Sequence, residues 1–374
     1  LGDGRLLVVG DPFFLSRHRP LTEALAKRLA TVREVPIAEG WSVREMAYLG
    51  TRFAAGRLWP PTRAKLSAAR QRFRKEPSSF SRLSQRAAAT LAKERDPAFV
   101  VQLFSMSSPA TAGARHPYAH YVDMTMAQVR RAWPLWAPFD RERDYDAWIA
   151  CEGASYRGAA RVFTFSEATR RSAIDDYGAD PARVVSVGAA GHYRDVGSEA
   201  RGYGNRTIVF NGSDFERKGG DRALAAFRIV RERFPDATLT IVAHSGIANE
   251  PGVREAGRLS RAELFDLFDR TDVLLAPSRL DVFPGFVLEA ISRGVVAVLS
   301  DAESMDEIVT DGRDGAIVSP PTPENLAART IALFENVDEL RALGAAGRER
   351  VVREWNWDAV AERMVASLAR DGLV

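Results

Sequence analysis

The chain has 374 residues, of which 46% are hydrophobic and 27% charged, with a formal net charge of +3 and a single cysteine. That length exceeds what one hydrophobic core usually serves, so two domains of roughly 150–200 residues each are expected, with a composition that excludes disordered and fibrous classes. The lone Cys151 excludes an intramolecular disulfide and a multi-cysteine metal site, and no apolar run reaches the roughly 18–20 residues of a membrane span.

From the N-terminus, Leu6–Val9 reads as a strand. It is too short, and too soon ended by a turn, to be the core of a secretory signal, so a cytoplasmic protein is expected. Leu21–Ala30 has helical periodicity. Between Arg57 and Lys93 stand ten basic residues (57, 63, 65, 70, 72, 74, 75, 82, 86 and 93) against one acid, Glu76. Such a run is either a solvated helix face or a dock for an anionic partner. Arg63, Lys65, Arg70, Arg72, Arg74 and Lys75 are the candidate acceptor or membrane patch, which would place the protein peripherally on the inner face of a membrane. No nucleic-acid-binding motif accompanies it, so nucleic acid is not an expected partner.

Phe99–Phe104, Tyr118–Val122, Arg161–Phe165 and Val184–Val187 read as strands, and Glu167–Tyr177 as a helix ending at Gly178. A glycine-rich, apolar-poor stretch follows. The alternation then restarts: strands at Thr207–Phe210, Thr238–Val242, Val273–Ala276 and Val295–Leu299, helices at Asp221–Arg233, Arg261–Phe268 and Phe286–Arg293, and further helices through most of Glu324–Leu368. Strands alternating with helices imply parallel sheets covered on both faces. The expected class is α/β, with an N-terminal Rossmann-like domain (1–190), a hinge (191–205) and a C-terminal Rossmann-like domain (206–354), residues 355–374 returning to the first. Ligands of such sheets bind beyond the C-terminal strand ends, and two facing halves would place a site in the cleft between them.

Two strand-to-helix junctions carry chemistry. In LDVFPGFVLEA (280–290), Asp281 and Glu289 flank a helix start, with Gly285 permitting close backbone approach. The free N–H groups there form an anion site favoured by the helix dipole, and ionised carboxylates accept hydrogen bonds from vicinal hydroxyls. The bland alternative is that both acids only favour the helix start. In NGSDFERKGGDRALAAF (211–227), Lys218 is the only lysine after residue 93 and sits in a glycine-bounded loop, with Asp221 the expected N-cap. A bound anion would explain the cation there. The spacing of a P-loop is absent.

Together these pieces resemble the retaining family 4 (group 1) glycosyltransferases. Asp281-x7-Glu289 corresponds to the family's E-x7-E signature, inside PSRLDVFPGFVLEAISRGVVAVLSD. FNGSDFERKGG is similar to the family's lysine-bearing loop, and VFTFSEATRRSAIDDYGADPARVVSVGAAG and DEIVTDGRDGAIVSPPTPENLA to flanking stretches. The likeness is good over roughly residues 160–365 and weaker before that. The resemblance implies a GT-B fold, whose C-terminal helix crosses back to the first domain. It also implies sugar transfer with retention from a nucleoside-diphosphate sugar to an acceptor hydroxyl, with no cofactor and no metal. The implied catalytic set is Lys218, Asp281, Asp123 and Arg217. Lys218 would neutralise the diphosphate, Asp281 hold the transferred sugar, and Asp123 stand where the family often has a histidine facing that sugar. The implied donor-binding set is Glu289 on the ribose, the backbone of Gly285, Phe286 and Val287 on the sugar and diphosphate, Phe283, Pro284, Ser213 and Gly212, with Val253 and Arg258 in the segment near the base.

Three positions depart from the family pattern. The first acid is Asp281 instead of glutamate. Ser213 replaces a diphosphate-binding arginine, for which Arg217 is the candidate substitute. Asp123 replaces the histidine, and an acid there could stabilise charge developing at the anomeric carbon. Asp144 and Asp146 match a metal-binding D-x-D pattern but lie in a helix-like charged run, where a structural role is expected. The acceptor is expected to be a glycan, glycolipid or lipid-linked saccharide. The rival readings are a sugar-nucleotide epimerase or hydrolase of the same fold and a non-catalytic nucleotide-sugar or carbohydrate binder.

Overall fold

The structure, a computed structural model, describes residues 4–37, 43–60, 62–94, 98–110, 116–192, 201–243, 246 and 250–374. The chain divides into two compact units, Leu1–Val187 with Ala361–Val374, and Gly188–Val360. Of the hinge read from the sequence, residues 193–200 lie outside the described residues.

The first unit runs β1 (Arg5–Gly10), α1 (Pro12–Arg17), α2 (Arg19–Ala26), β2 (Thr31–Pro36), α3 (Val43–Ala54), α4 (Arg63–Arg74), α5 (Pro77–Leu91), β3 (Phe99–Leu103), β4 (Tyr118–Val122), α6 (Met126–Ala132), α7 (Glu142–Gly158), β5 (Arg161–Thr164), α8 (Glu167–Asp175) and β6 (Val184–Ser186). Its strands form one parallel sheet in the order β2-β1-β3-β4-β5-β6. Strands β3 and β4 are buried along their whole length, as sheet strands covered on both faces should be. Val9, Val100, Val162 and Tyr156 belong to its core. The C-terminal residues complete this unit: the Arg161 guanidinium donates to Ser367 Oγ at 3.1 Å and pairs with Asp371, and Arg363 Nε donates to the Val187 carbonyl at 2.8 Å.

The second unit runs β7 (Thr207–Asn211), α9 (Gly220–Arg233), β8 (Thr238–Val242), β9 (Val253–Gly257), α10 (Arg261–Phe268), β10 (Val273–Ala276), α11 (Gly285–Ser292), β11 (Val296–Ser300), β12 (Ala316–Val318), α12 (Pro323–Glu335) and α13 (Val337–Glu354); α14 (Trp357–Ala369) leads back into the first. Its parallel sheet has the order β12-β11-β10-β7-β8-β9. Phe210, Leu275 and Val298 pack with Phe227, Leu326 and Leu333 of the helices in one core.

The order matters for function. The chain builds outward from β7 through β8 to β9, then returns to the other side of β7 with β10. Beyond the C-terminal ends of β7 and β10, the connections leave in opposite directions and open a crevice. Both junctions singled out from the sequence follow these two strands. Two parallel, doubly wound sheets agree with the expected class. Edge strands β2 and β9 and the three-residue β12 were not foreseen.

Candidate functional site

The loop after β7 carries Lys218 and the loop after β10 carries Asp281. Their side chains meet, with Lys218 Nζ 2.6 Å from Asp281 Oδ2 and both largely withdrawn from solvent. Glycine makes this approach possible. Gly219 has φ +72, and a β-carbon there would run into the Pro277 carbonyl oxygen. Gly220 lies as tightly against the Phe215 ring, and Gly212 against Ile241.

Arginines tie the two loops together. Arg217 donates to the Leu280 carbonyl at 2.6 Å, pairs with Asp214 at 2.7 Å and stands 3.5 Å from Asp281. Arg279 N–H donates to the Arg217 carbonyl at 2.8 Å, and its guanidinium grips both oxygens of Asp221 at 2.8 and 2.6 Å. Asp221 is therefore not the N-cap expected from the sequence. The cap is Gly219, and Asp221 binds a cation across the loops.

Helix α11 begins at the same crevice. Its N-cap is Pro284 and no side chain caps it, whereas α8, α10 and α12 are capped by Ser166, Ser260 and Thr322. Uncapped amides at a helix start present positive potential to an anion. A β-carbon at Gly285 would meet nothing within 4 Å, so packing does not demand the glycine. Phe283 has φ +43 and is buried, its ring 4.9 Å from that of Trp355. A bulky residue held in this region stores strain, which the Trp355 contact helps to hold.

Lys218, Asp281, Pro284, Phe286 and Val287 line a small open cavity, together with Asn211 and Ser278, which the sequence did not single out. Glu289 lies further along α11, buried, with Oε1 accepting the His192 N–H at 3.0 Å and 3.8 Å from Arg261. The structure does not bring Val253 to this crevice. It opens β9, so it lies at the N-terminal edge of a parallel sheet, and it packs against the core. Arg258 follows the C-terminal end of β9 and is exposed. Ser213 is exposed, its N–H bound to Asn211 Oδ1 at 3.1 Å.

In the first unit, Asp123 follows the last residue of β4 and accepts the Met124 N–H at 2.7 Å. Burial raises its carboxyl to about 6, against the pull of that N–H and of Lys75. Lys75 turns inward. Its ammonium lies 3.4 Å from Met106 Sδ and 5.3 Å from the Trp148 ring centre. Burial lowers it to about 8, opposed by Glu152 and Asp123. Glu152, buried in α7, accepts from Tyr156 at 2.9 Å, Tyr177 at 2.5 Å and Ser105. Burial raises its carboxyl, and these donors pull it back.

The rest of the basic run is divided. Arg70 pairs with the buried Glu45 at 2.6 Å and Arg72 with Asp140 at 2.7 Å. Lys65 is exposed and donates to the Trp59 carbonyl at 2.7 Å, Arg74 is half-buried, and the side chain of Arg63 lies outside the described ones. Asp144, in the first turn of α7, is paired with Arg141 at 2.8 Å, and Asp146 is exposed. Among the described residues no group of three or more His, Cys, Asp or Glu could hold a metal ion, and no helix is long and apolar enough to cross a membrane.

Residues 197–350 match the sequence model of the "Glycosyl transferases group 1". The chain is 26% identical over 315 residues to an MMP alpha-(1->4)-mannosyltransferase of Mycolicibacterium hassiacum, covering 78% of this chain and 74% of that protein. It is 32% identical over 174 residues to a phosphatidyl-myo-inositol mannosyltransferase of Mycobacterium tuberculosis, covering 43% of this chain and 46% of that one, so this match spans under half of the relative's length. Among solved structures, a sucrose-phosphate synthase from Thermosynechococcus elongatus superposes with a TM-score of 0.67 at 17% identity, over 98% of each chain. At that identity the likeness speaks for the fold, two Rossmann-like units of the GT-B kind.

Proposed function

We propose, from the match of residues 197–350 to the group 1 glycosyltransferases, that the chain transfers a sugar, with retention, from a nucleoside-diphosphate sugar to an acceptor hydroxyl. The observation that carries this reading is the Lys218–Asp281 pair, 2.6 Å apart, beside the uncapped start of α11. A diphosphate set on the α11 amides would meet the helix dipole and could draw the Lys218 ammonium from Asp281. Both would stabilise charge growing on the leaving group as the glycosidic bond breaks. Asp281, losing part of its hold on Lys218, would accept hydroxyls of the transferred sugar. Glu289 would accept those of the ribose. The open space before Gly285 would let the sugar approach the backbone.

Arg217 is read here as the residue that holds the two loops together. Asp123 is proposed as an ionised acid supporting the reaction from the first unit. No metal or cofactor enters the scheme. The two relatives named above are mannosyltransferases by name, which favours a mannosyl donor, and one acts on an inositol phospholipid, which favours a saccharide or glycolipid acceptor.

The test is a thermal-shift panel of GDP-mannose, UDP-glucose and other nucleotide sugars, with and without chelator. The reading expects stabilisation by at least one donor, undiminished by chelator. No stabilisation by any donor would sink it. Stabilisation only with a divalent metal would replace the metal-independent scheme. Consumption of donor without any acceptor would favour the hydrolase or epimerase alternative.

A further inference from the structure

Helix α7 turns a polar face into the first unit. Glu152, Ser155 and Tyr156, spaced to share that face, are all buried. The Glu152 carboxylate takes four donors. Oε1 accepts from Ser105 and from Tyr156 at 2.9 Å, and Oε2 accepts from Tyr177 at 2.5 Å and from the Met126 N–H at 3.3 Å. The Tyr177 hydroxyl also accepts the Ala127 N–H at 3.0 Å. Ser105 belongs to the loop that leaves β3, and Met126 and Ala127 open α6, three residues after Asp123. One buried carboxylate therefore joins the two connections that leave the C-terminal ends of the paired strands β3 and β4, the end of a parallel sheet where ligands bind.

Ser155 holds the same loop further along. Its hydroxyl donates to Ser108 Oγ at 2.7 Å and lies 2.6 Å from Nε2 of the buried His120 on β4, while the Ser108 N–H donates to Ser84 on α5 at 2.9 Å. With Ser105 and Ser108 both tied, Met106 between them faces the Lys75 ammonium at 3.4 Å. The loop begins under strain, because Phe104 has φ +59, with its ring 4.2 Å from that of Phe14. Asp123 is fixed from two sides: its carbonyl accepts from Thr169 at 2.7 Å, and the turn after it is held at Met126 by Glu152. Burying a carboxylate costs stability that apolar side chains of similar size would not. What a satisfied polar network adds is a single fixed arrangement of the groups it binds.

We propose that Glu152 is a positioning residue for transfer: without touching substrate, it clamps the loop after β3 to the start of α6 and so sets the places of Met106, Lys75 and Asp123 at one end of the sheet. The sequence did not single out Glu152. Its part in transfer rests on the reading of the chain as a glycosyltransferase, whereas the clamp itself does not.

The test compares the intact protein with Glu152→Gln, whose amide nitrogen cannot accept a hydrogen bond, and with the milder Ser105→Ala, which frees only the loop after β3. Amide hydrogen exchange is followed in residues 104–110 and 123–128. It needs no turnover, so it judges the clamp separately from the transfer reading. Glu152→Gln should speed exchange in both segments by roughly tenfold or more, and Ser105→Ala in the first alone. Tyr156 lies on α7 with Glu152, so Tyr156→Phe removes a donor without releasing either loop and should leave both segments protected. Transfer is then assayed with GDP-mannose and phosphatidylinositol, well below the melting transition, where a merely structural loss of stability would leave kcat and KM alone. For Glu152→Gln, kcat should fall roughly tenfold or more, because small displacements at a reacting centre are costly, at an unchanged donor KM. Two results would overturn the proposal: unchanged exchange of both segments in Glu152→Gln, or loosened segments with the parent's kcat.

Discussion

The Lys218 ammonium lies 2.6 Å from the Asp281 carboxylate although the two residues are 63 positions apart in the chain. They meet because β7 and β10 are neighbours in the sheet while the strands between them in sequence lie to one side. In the proposed mechanism the pair is a competition: Asp281 and a diphosphate share one cation. Asp281→Asn removes the carboxylate's charge while keeping its shape. Nucleoside diphosphate should then bind several-fold more tightly, while transfer falls by roughly 10²-fold for want of an anionic hydroxyl acceptor. Calorimetric titration and a steady-state assay read the two effects. Weaker diphosphate binding would argue against the competition.

Glu289→Gln should keep the fold, because the amide oxygen can still accept the His192 N–H. What is lost is the charged acceptor for ribose hydroxyls. Hydrogen bonds to charged groups are worth about 1.5–3 kcal/mol, so the donor KM should rise roughly 10- to 150-fold with little change in melting temperature. An unchanged KM would remove Glu289 from the donor site.

Gly219→Ala tests how the loops are positioned. A β-carbon would be strained at φ +72 and would collide with the Pro277 carbonyl oxygen. Denaturant unfolding should show a loss of at least ~1 kcal/mol. Because the loop that moves carries Lys218, transfer should fall by more than the unfolded fraction explains.

The first unit makes a pH prediction. Burial raises the Asp123 carboxyl to about 6, and Lys75 is among the groups that hold it down. If Asp123 acts ionised, kcat/KM should fall on the acid side with an apparent pKa near 6. Lys75→Met, which removes the cation, should move that limb upward. The sign for stability follows. A carboxyl whose folded pKa is raised contributes stability that is present below its unfolded value near 4 and is lost as pH rises through 6. Asp123→Asn should therefore gain stability relative to the parent as pH rises from 4 to 6. Lys75 is the opposite case: with its folded pKa lowered to about 8, its contribution is present above pH 10.5 and is lost as pH falls through 8. Melting curves of the parent and both variants across these windows check the signs.

The parts legible in the sequence are those whose environment is uniform. Strands β3, β4, β10 and β11 are buried on both faces and read as short apolar runs. Strands β2 and β9, TVREVP and VREAG, lie at sheet edges, where one face and one flank meet water, and their charged residues hide them. Helix α3 was hidden for a different reason. Val43, Met46 and Phe53 are exposed while Glu45 is buried, and which face is buried is a tertiary fact.

The same division runs through the site. Lys218 was visible as an isolated lysine between glycines, and Asp281 and Glu289 as acids at a helix start. Their partners were not. The Lys218–Asp281 contact depends on strand order, and the His192 N–H that binds Glu289 comes from 97 positions away. Lys75 shows the limit of reading a charge run as a surface: it turns inward to Trp148, near Glu152 and Asp123, and nothing in its neighbours' identities marks it. Val253 fails more simply, because the segment assigned to the nucleotide base is a strand, and the residue stands at its far end.

In the proposed mechanism Lys218, beside the start of α11, holds the diphosphate of a nucleotide-sugar donor. The most direct measurement is calorimetric titration of the parent and of Lys218→Ala with the donor that gives the largest thermal shift, in the presence of chelator. The parent should show saturable one-site binding and the variant an affinity roughly 10- to 150-fold lower, the worth of a charged hydrogen bond, with the melting temperature of the unliganded protein nearly unchanged. Equal affinity of the two proteins for the donor would contradict it.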